Sequence, residues 1–328
     1  LVLSVVWAMS QNPLALFERT PESEHVGIWE IAHIFAELFV RARTLNTLIP
    51  CRTWSDTMKE FLIIVGAIFL AGCGDSGGSV VDEPPVSSPP PDPGGMDRYS
   101  TSLPLTDNSD ATAYNILVMG NSHAAELRPV LERLLTLGQP DKSINSRSSA
   151  RSGFLSDRVG DGISEQTLES EAWTHVILQG QKYSTTGTTT YPTYAAEYWI
   201  RGSKEQGATP VMFPEHPRRD NNWEGRTLWE LHSGIAAREN TCVAPVGLVW
   251  DEVIFQDPSL VLHIDDGNHA SGKGLLLNAL VFYQIITGEP VESLPELSEF
   301  GVDINTEQIM KDAVSSLLFT YPPCSFET

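Results

Sequence analysis

Short apolar segments alternate with longer amphipathic segments from about residue 111 to the end of the chain. Five short segments fit β-strands, and they cover residues 115–119, 144–148, 173–179, 209–213 and 243–249. The segment 173–179 is almost continuously apolar, which is typical of a strand buried on both faces. Helical periodicity predicts helices over residues 124–137, 194–206, 226–239, 272–287 and 307–319. This order predicts an α/β domain around a five-stranded parallel sheet.

The pattern before this domain is different. Residues 58–72 carry a lysine near their start, then an apolar run, then small residues directly before Cys73. They resemble a bacterial lipoprotein signal peptide, which implies that Cys73 becomes the lipidated amino terminus. A short buried helix is the alternative, because an apolar run of about ten residues is too short to span a bilayer. Residues 1–57 would precede the mature protein, and we expect no function there.

Residues 73–110 are rich in proline, glycine and serine at their start, and we expect a linker there. The predicted organisation is therefore an upstream extension (1–57), a signal peptide (58–72), a lipidated linker (73–110) and a folded domain (111–328). A lipid on Cys73 would hold the domain at a membrane of the bacterial cell envelope, on the periplasmic or outer-surface side.

Composition excludes some classes of function. The chain has 42 acidic and 21 basic residues and a formal net charge of −21, which argues against a nucleic-acid partner. Its four cysteines lack the paired CxxC spacing of a structural zinc site. The predicted domain contains Cys242 and Cys324, and both a disulfide and a pair of buried thiols stay open.

Two polar segments could carry chemistry. Ser122 follows Gly120 and Asn121 at the turn between the first strand and its helix, where backbone N–H groups can face a developing oxyanion. A helix cap is the alternative. Asp266 stands three residues before His269, so it could bond one imidazole nitrogen and leave the other to take a serine proton. A solvated acidic loop is the alternative there.

We expect two neighbouring features to be structural. His123 follows Ser122 directly and is predicted to be a first-turn helix residue, with a direct catalytic role as the alternative. Residues 214–219 follow the fourth strand and are predicted to form a solvated loop, and a position that lines the cleft at the carboxyl ends of the strands is the alternative.

Taken together, the Gly-x-Ser turn and the Asp-x-x-His segment resemble the SGNH (GDSL-type) hydrolase family over about residues 115–290. The resemblance implies a flavodoxin-like three-layer α/β/α sandwich with a five-stranded parallel sheet. It also implies Ser122 as nucleophile, His269 as base and Asp266 as the acid that orients the base. Asp265, one residue out of step, is the second choice for the acid.

The family also takes oxyanion donors from a glycine after the second strand and an asparagine after the third. The resemblance assigns these roles to Gly153 and Gln181, beside the N–H of Ser122 itself. Gln181 departs from the pattern because its amide lies one methylene further out, and Asn121 replaces the usual aspartate before the serine.

The predicted function is an exported serine esterase that cleaves an acyl ester, such as that of an acetylated glycan, without a metal or organic cofactor. Two alternatives stay open. The same residues could transfer an acyl group to an envelope glycan, or the domain could be a catalytically inactive binding lipoprotein.

Overall fold

A computed structural model of the chain describes residues 98–149 and 152–326. The predictions for residues 1–57, 58–72 and Cys73 lie outside the described residues, as does most of the linker 73–110. Residues 98–110 pack on the domain, because Tyr99 and Leu105 are buried.

The central sheet has five parallel strands in the order β2-β1-β3-β4-β5. They are β1 (Ala113–Met119), β2 (Ser143–Ser148), β3 (His175–Gln179), β4 (Thr209–Phe213) and β5 (Cys242–Val243). The helices are α1 (Ser122–Ala125), α2 (Leu127–Gly138), α3 (Ile163–Glu169), α4 (Tyr194–Glu205), α5 (Glu224–Ala236), α6 (Val246–Gln256), α7 (Gly272–Thr287) and α8 (Ile304–Thr320). Short 3₁₀ segments form at Leu155–Asp157, Val291–Ser293 and Ser298–Phe300.

The sheet is covered on both faces, as strand β1 shows. Ile116 and Val118 belong to a core shared with α2, α6, α7 and α8. Leu117 and Met119 belong to a second core, shared with α3 and α4. Because successive strand residues point to opposite faces, this alternation places helices on each side of the sheet. The predicted three-layer α/β/α fold is therefore confirmed.

One predicted strand was wrong. The segment 243–249 contributes only the end of β5, and its second half belongs to helix α6, which follows Pro245. The apolar run at Val246 to Trp250 is buried all round, and such a run does not reveal by periodicity whether it forms a strand or a helix. The predicted helix 124–137 is also divided, because it breaks at Glu126 into α1 and α2.

A disulfide links β5, the outermost strand of the sheet, to the carboxyl-terminal segment. Cys242 in β5 is bonded to Cys324, with an S–S distance of 1.99 Å. The Val243 N–H donates to the Pro323 carbonyl beside it, at 2.8 Å. Of the two alternatives for these cysteines, the structure contains the disulfide.

None of the helices within residues 98–149 and 152–326 combines the length and the hydropathy needed to cross a bilayer.

The parallel topology decides where functional side chains can meet. The carboxyl ends of β1, β3 and β4 lie side by side at one edge of the sheet. The chain leaves β1 towards Ser122, leaves β3 after Gln179 and leaves β4 towards Glu215 and His216. This edge therefore collects polar groups from segments that are far apart in sequence.

Candidate active site

Residues 120–122 carry the predicted nucleophile, and we call them the nucleophile turn. This turn connects β1 to α1 and presents Ser122 to solvent. Its Asn121 N–H donates to the Oε1 of Gln179 at 2.8 Å. A Cβ on Gly120 would lie 2.5 Å from that same oxygen and 2.7 Å from the Cβ of Ala124, so the turn fits closely against β3. Only glycine allows this approach without displacing its neighbours.

Residues 265–269 carry the predicted base, and we call them the base loop. This loop lies between α6 and α7 and folds around the Asp266 carboxylate. Asp266 Oδ1 accepts the backbone N–H groups of Asn268 and His269, at 2.8 and 2.9 Å. Gly267 has φ +69°, the left-handed conformation that this turn requires. The loop thereby brings the Asp266 side chain back to the His269 ring.

The structure joins these two segments by a continuous line of hydrogen bonds. His269 Nδ1 donates to Asp266 Oδ2 at 2.6 Å. His269 Nε2 lies 2.8 Å from the Oγ of Ser122. Since Nδ1 carries the proton that Asp266 accepts, the neutral ring has its lone pair on Nε2 and accepts the serine hydroxyl. The arrangement can move the Ser122 proton to His269.

The carboxylate of this line is held in its charged form. Hydrogen bonds from the His269 backbone and side chain, and from the Asn268 N–H, lower the pKa of Asp266 below its usual range. The site is open, with 32% of the His269 side chain and 43% of the Asp266 side chain exposed. Asp265, the second choice for the acid, is exposed and makes no hydrogen bond to His269 in the structure described.

Two predicted oxyanion donors are engaged elsewhere. The Gly153 N–H donates to the Gly120 carbonyl at 3.2 Å. The side-chain amide of Gln181 donates both of its hydrogens to backbone carbonyls, those of Lys182 at 2.9 Å and Pro192 at 3.1 Å. The geometry therefore does not support oxyanion roles for Gly153 and Gln181.

The third predicted donor is the N–H of Ser122. This group opens α1, and the first N–H groups of a helix have no intrahelical acceptor. Its role towards an oxyanion stays a prediction.

Four residues of this edge were not predicted from the sequence as parts of a site. Gln179 Nε2 donates to Glu215 Oε2 at 2.6 Å, and Glu215 Oε2 lies 3.6 Å from His123 Nδ1. His123 and the buried His216 both contact the base loop. The segment that carries Glu215 and His216 is thus packed into the site, although we predicted a solvated loop for it. Polar residues placed directly after buried strands were the available signal.

Among the residues that the structure describes, no group of three or more histidine, cysteine or acidic side chains is arranged to hold a metal ion.

Replacing Gly120 tests how closely the nucleophile turn is packed. We expect Gly120→Ala to lower the free energy of unfolding by about 1–3 kcal/mol, because the added methyl group overlaps Gln179 and Ala124. Urea denaturation measures the change. The matched control is Gly272→Ala, since a Cβ there meets nothing within 4 Å. Equal stability of the two variants would contradict the close fit.

Comparisons with known proteins address the fold. No protein-family model and no curated protein matches the chain. A DUF4886 family protein from Bacteroides uniformis ATCC 8492 is 14% identical, with a TM-score of 0.53 over 65% of this chain and 98% of that one. At this identity the likeness shows that the two chains share a fold.

Proteins named as SGNH hydrolases and esterases are found among the similar structures as well. A protein assigned to the SGNH hydrolases from Slackia heliotrinireducens is 23% identical, with a TM-score of 0.42 over 53% of this chain and 99% of that one. The psychrotrophic esterase EstA from Pseudoalteromonas sp. is 17% identical, with a TM-score of 0.38 over 53% and 97%. What is established for this chain is the three-layer α/β/α fold.

Proposed function

We propose that the protein is a serine hydrolase of the SGNH type that cleaves an acyl ester. The observation that carries this proposal is the line from Ser122 Oγ through the His269 ring to Asp266, with distances of 2.8 and 2.6 Å. Serine, histidine and aspartate in this order form the arrangement that turns a serine hydroxyl into a nucleophile. Its position at the carboxyl edge of the sheet leaves room for a substrate.

The reaction would proceed in two steps. His269 Nε2 removes the hydroxyl proton while Ser122 Oγ attacks the ester carbonyl, and the Asp266 carboxylate stabilises the imidazolium that forms. The Ser122 N–H donates to the oxyanion. His269 then gives its proton to the departing alcohol, which leaves an acyl group on Ser122. In the second step His269 takes a proton from water, which attacks the acyl group. His269 then returns the proton to Ser122 Oγ as the bond to the acyl group breaks and the acid is released.

The surroundings of the base loop offer an open surface for a bulky substrate group. An open cleft of about 590 Å³ lies beside Asp266 and Asn268. Trp223 lines this cleft and is 52% exposed, and an indole ring can pack on the apolar face of a sugar. Polar side chains complete its walls, among them Arg218, Arg219, Asp220 and Asn221. An acetylated glycan is therefore the proposed substrate class.

An exported, lipid-anchored location fits this substrate. The proposal rests on the lipoprotein-like segment 58–72 and on Cys73. The disulfide between Cys242 and Cys324 supports it, because disulfides persist in oxidising compartments such as the bacterial periplasm.

An activity-based probe tests the nucleophile directly. We expect a fluorophosphonate to label the wild-type protein at Ser122, because His269 removes the hydroxyl proton as the phosphorus is attacked. Ser122→Ala should abolish labelling, and mass spectrometry of the labelled peptide locates the adduct. Ser316→Ala, at an exposed serine in α8, is the control and should label like the wild type. A folded wild-type protein that stays unlabelled would contradict the proposal.

A pair of neighbouring aspartates tests the orienting acid. We expect Asp266→Asn to lower kcat for an aryl acetate roughly 10³- to 10⁴-fold, because the amide no longer fixes the imidazole tautomer. Asp265→Asn should keep kcat within about threefold of the wild type, since Asp265 does not contact His269. Steady-state hydrolysis measures both. A larger loss of kcat in Asp265→Asn than in Asp266→Asn would show that Asp266 is not the orienting acid.

A further inference from the structure

We infer that His123 and His216 are positioning residues, which hold the base His269 by binding the carbonyl of the residue before it. His123 Nε2 donates to the Asn268 carbonyl at 3.1 Å, and His216 Nε2 donates to the same oxygen at 3.0 Å. The inference rests on the proposed function, because it assigns these two histidines to the work of the same site.

The chemistry of the shared acceptor fixes the role of each ring. A carbonyl oxygen only accepts hydrogen bonds and offers two lone pairs, so both Nε2 atoms must carry a proton and both lone pairs are used. The carbonyl belongs to the peptide that joins Asn268 to His269. With Asp266 Oδ1 accepting the N–H on the other side of that peptide, both of its polar groups are bonded. The backbone of His269 is therefore held by hydrogen bonds that do not depend on the contacts of its ring.

Burial makes His216 suited to this task. Its ring is stacked on Trp250, with centroids 4.1 Å apart and an interplanar angle of 12°. Burial lowers the pKa of His216 to about 3, so the ring is neutral at physiological pH and holds a single proton. Its Nδ1 has no partner within the described residues, which leaves Nε2 as the donor. His263, which donates to the Pro217 carbonyl at 2.7 Å, packs edge-on against the same ring.

His123 adds a contact with the base itself. Its ring is stacked on that of His269, with centroids 4.8 Å apart and an interplanar angle of 17°. On its other side, His123 Nδ1 lies 3.2 Å from Asn121 Oδ1 and 3.6 Å from Glu215 Oε2. The His123 ring therefore packs on the face of the base ring while its Nε2 donates to the Asn268 carbonyl.

The same contacts reach the nucleophile turn. Glu215 accepts a hydrogen bond from Gln179, and Gln179 in turn accepts the Asn121 N–H beside Ser122. A closed series of contacts thus runs from the serine through the base loop, His123, Glu215 and Gln179 back to the nucleophile turn, and His216 joins it at the Asn268 carbonyl. Ser122 and His269 are 147 residues apart, and this series of contacts sets their relative position. A displacement of about 1 Å between reacting groups can cost roughly 100-fold in rate.

Substitutions that separate the hydrogen bond from the packing test the inference in the full-length chain. Phenylalanine keeps a ring of similar size but cannot donate, whereas the Nε2 of glutamine can. We expect His216→Phe and His123→Phe each to lower kcat for p-nitrophenyl acetate roughly 10- to 100-fold with KM within about twofold. His216→Gln and His123→Gln should recover most of that loss. The double phenylalanine variant should lose less than the product of the single losses, because both rings act on one carbonyl.

His232→Phe is the control for burial alone. His232 is a buried histidine of α5, its Nδ1 donates to the Leu228 carbonyl, and it does not contact the base loop. We expect its kcat to equal that of the wild type. Rates are expressed per amount of folded protein, measured by near-ultraviolet circular dichroism. If His216→Phe does not fold, the comparison of His123→Phe with His123→Gln tests the inference, because His123 is less buried.

Two results would overturn the inference without touching the proposed function. In the first, the wild type is labelled by the fluorophosphonate at Ser122 and folded phenylalanine variants keep a wild-type kcat. In the second, the glutamine variants lose as much as the phenylalanine variants. A folded wild type that is not labelled overturns the proposed function, and the positioning role with it.

Discussion

The arrangement of the candidate active site depends on one contact, that between His269 Nε2 and Ser122 Oγ. It spans 147 residues of sequence and 2.8 Å of space, so the fold itself must bring the two atoms together. Parallel strands do this, because β1 ends beside β3 and β4 and all three deliver their loops to one edge. The exposed serine and the partly exposed base are then held by buried groups below them.

Hydrogen bonds among these buried polar groups hold the site in one arrangement beside the apolar cores. An unpaired polar group in the interior is costly, so a network is stable only when its members find partners. Gln179 illustrates this, since its side chain is fully buried and bonds both the nucleophile turn and Glu215. The Asn268 carbonyl, which accepts two imidazole donors, does the same for the base loop.

Local pattern predicted much of this arrangement. Strand β4 and helix α7 were predicted with their observed bounds, because their apolar runs are bounded by turn residues and by the cap Ser271. Asp266 and His269 were singled out because they are neighbours in sequence as well as in space, and Ser122 because it lies at the turn between the first strand and its helix. The start of helix α6 was mistaken for a strand because residues 246–250 are buried on all sides and their periodicity does not separate the two structures. Gly153 and Gln181 were assigned as donors without knowledge of the carbonyls that their loops bring close. The role of His216 depends on a carbonyl 52 residues away, which no local pattern reveals.

The identity of the covalent intermediate shows which side chain attacks the ester. Mixing the protein rapidly with p-nitrophenyl acetate, quenching in acid and mapping the peptides would capture the acyl group where it forms. We expect an acetyl group on Ser122, formed no more slowly than steady-state turnover. Ser122→Ala should lack the acetyl group and should also lose hydrolysis. Equal hydrolysis by the wild type and Ser122→Ala, with no acetylated peptide that contains residue 122, would contradict this expectation.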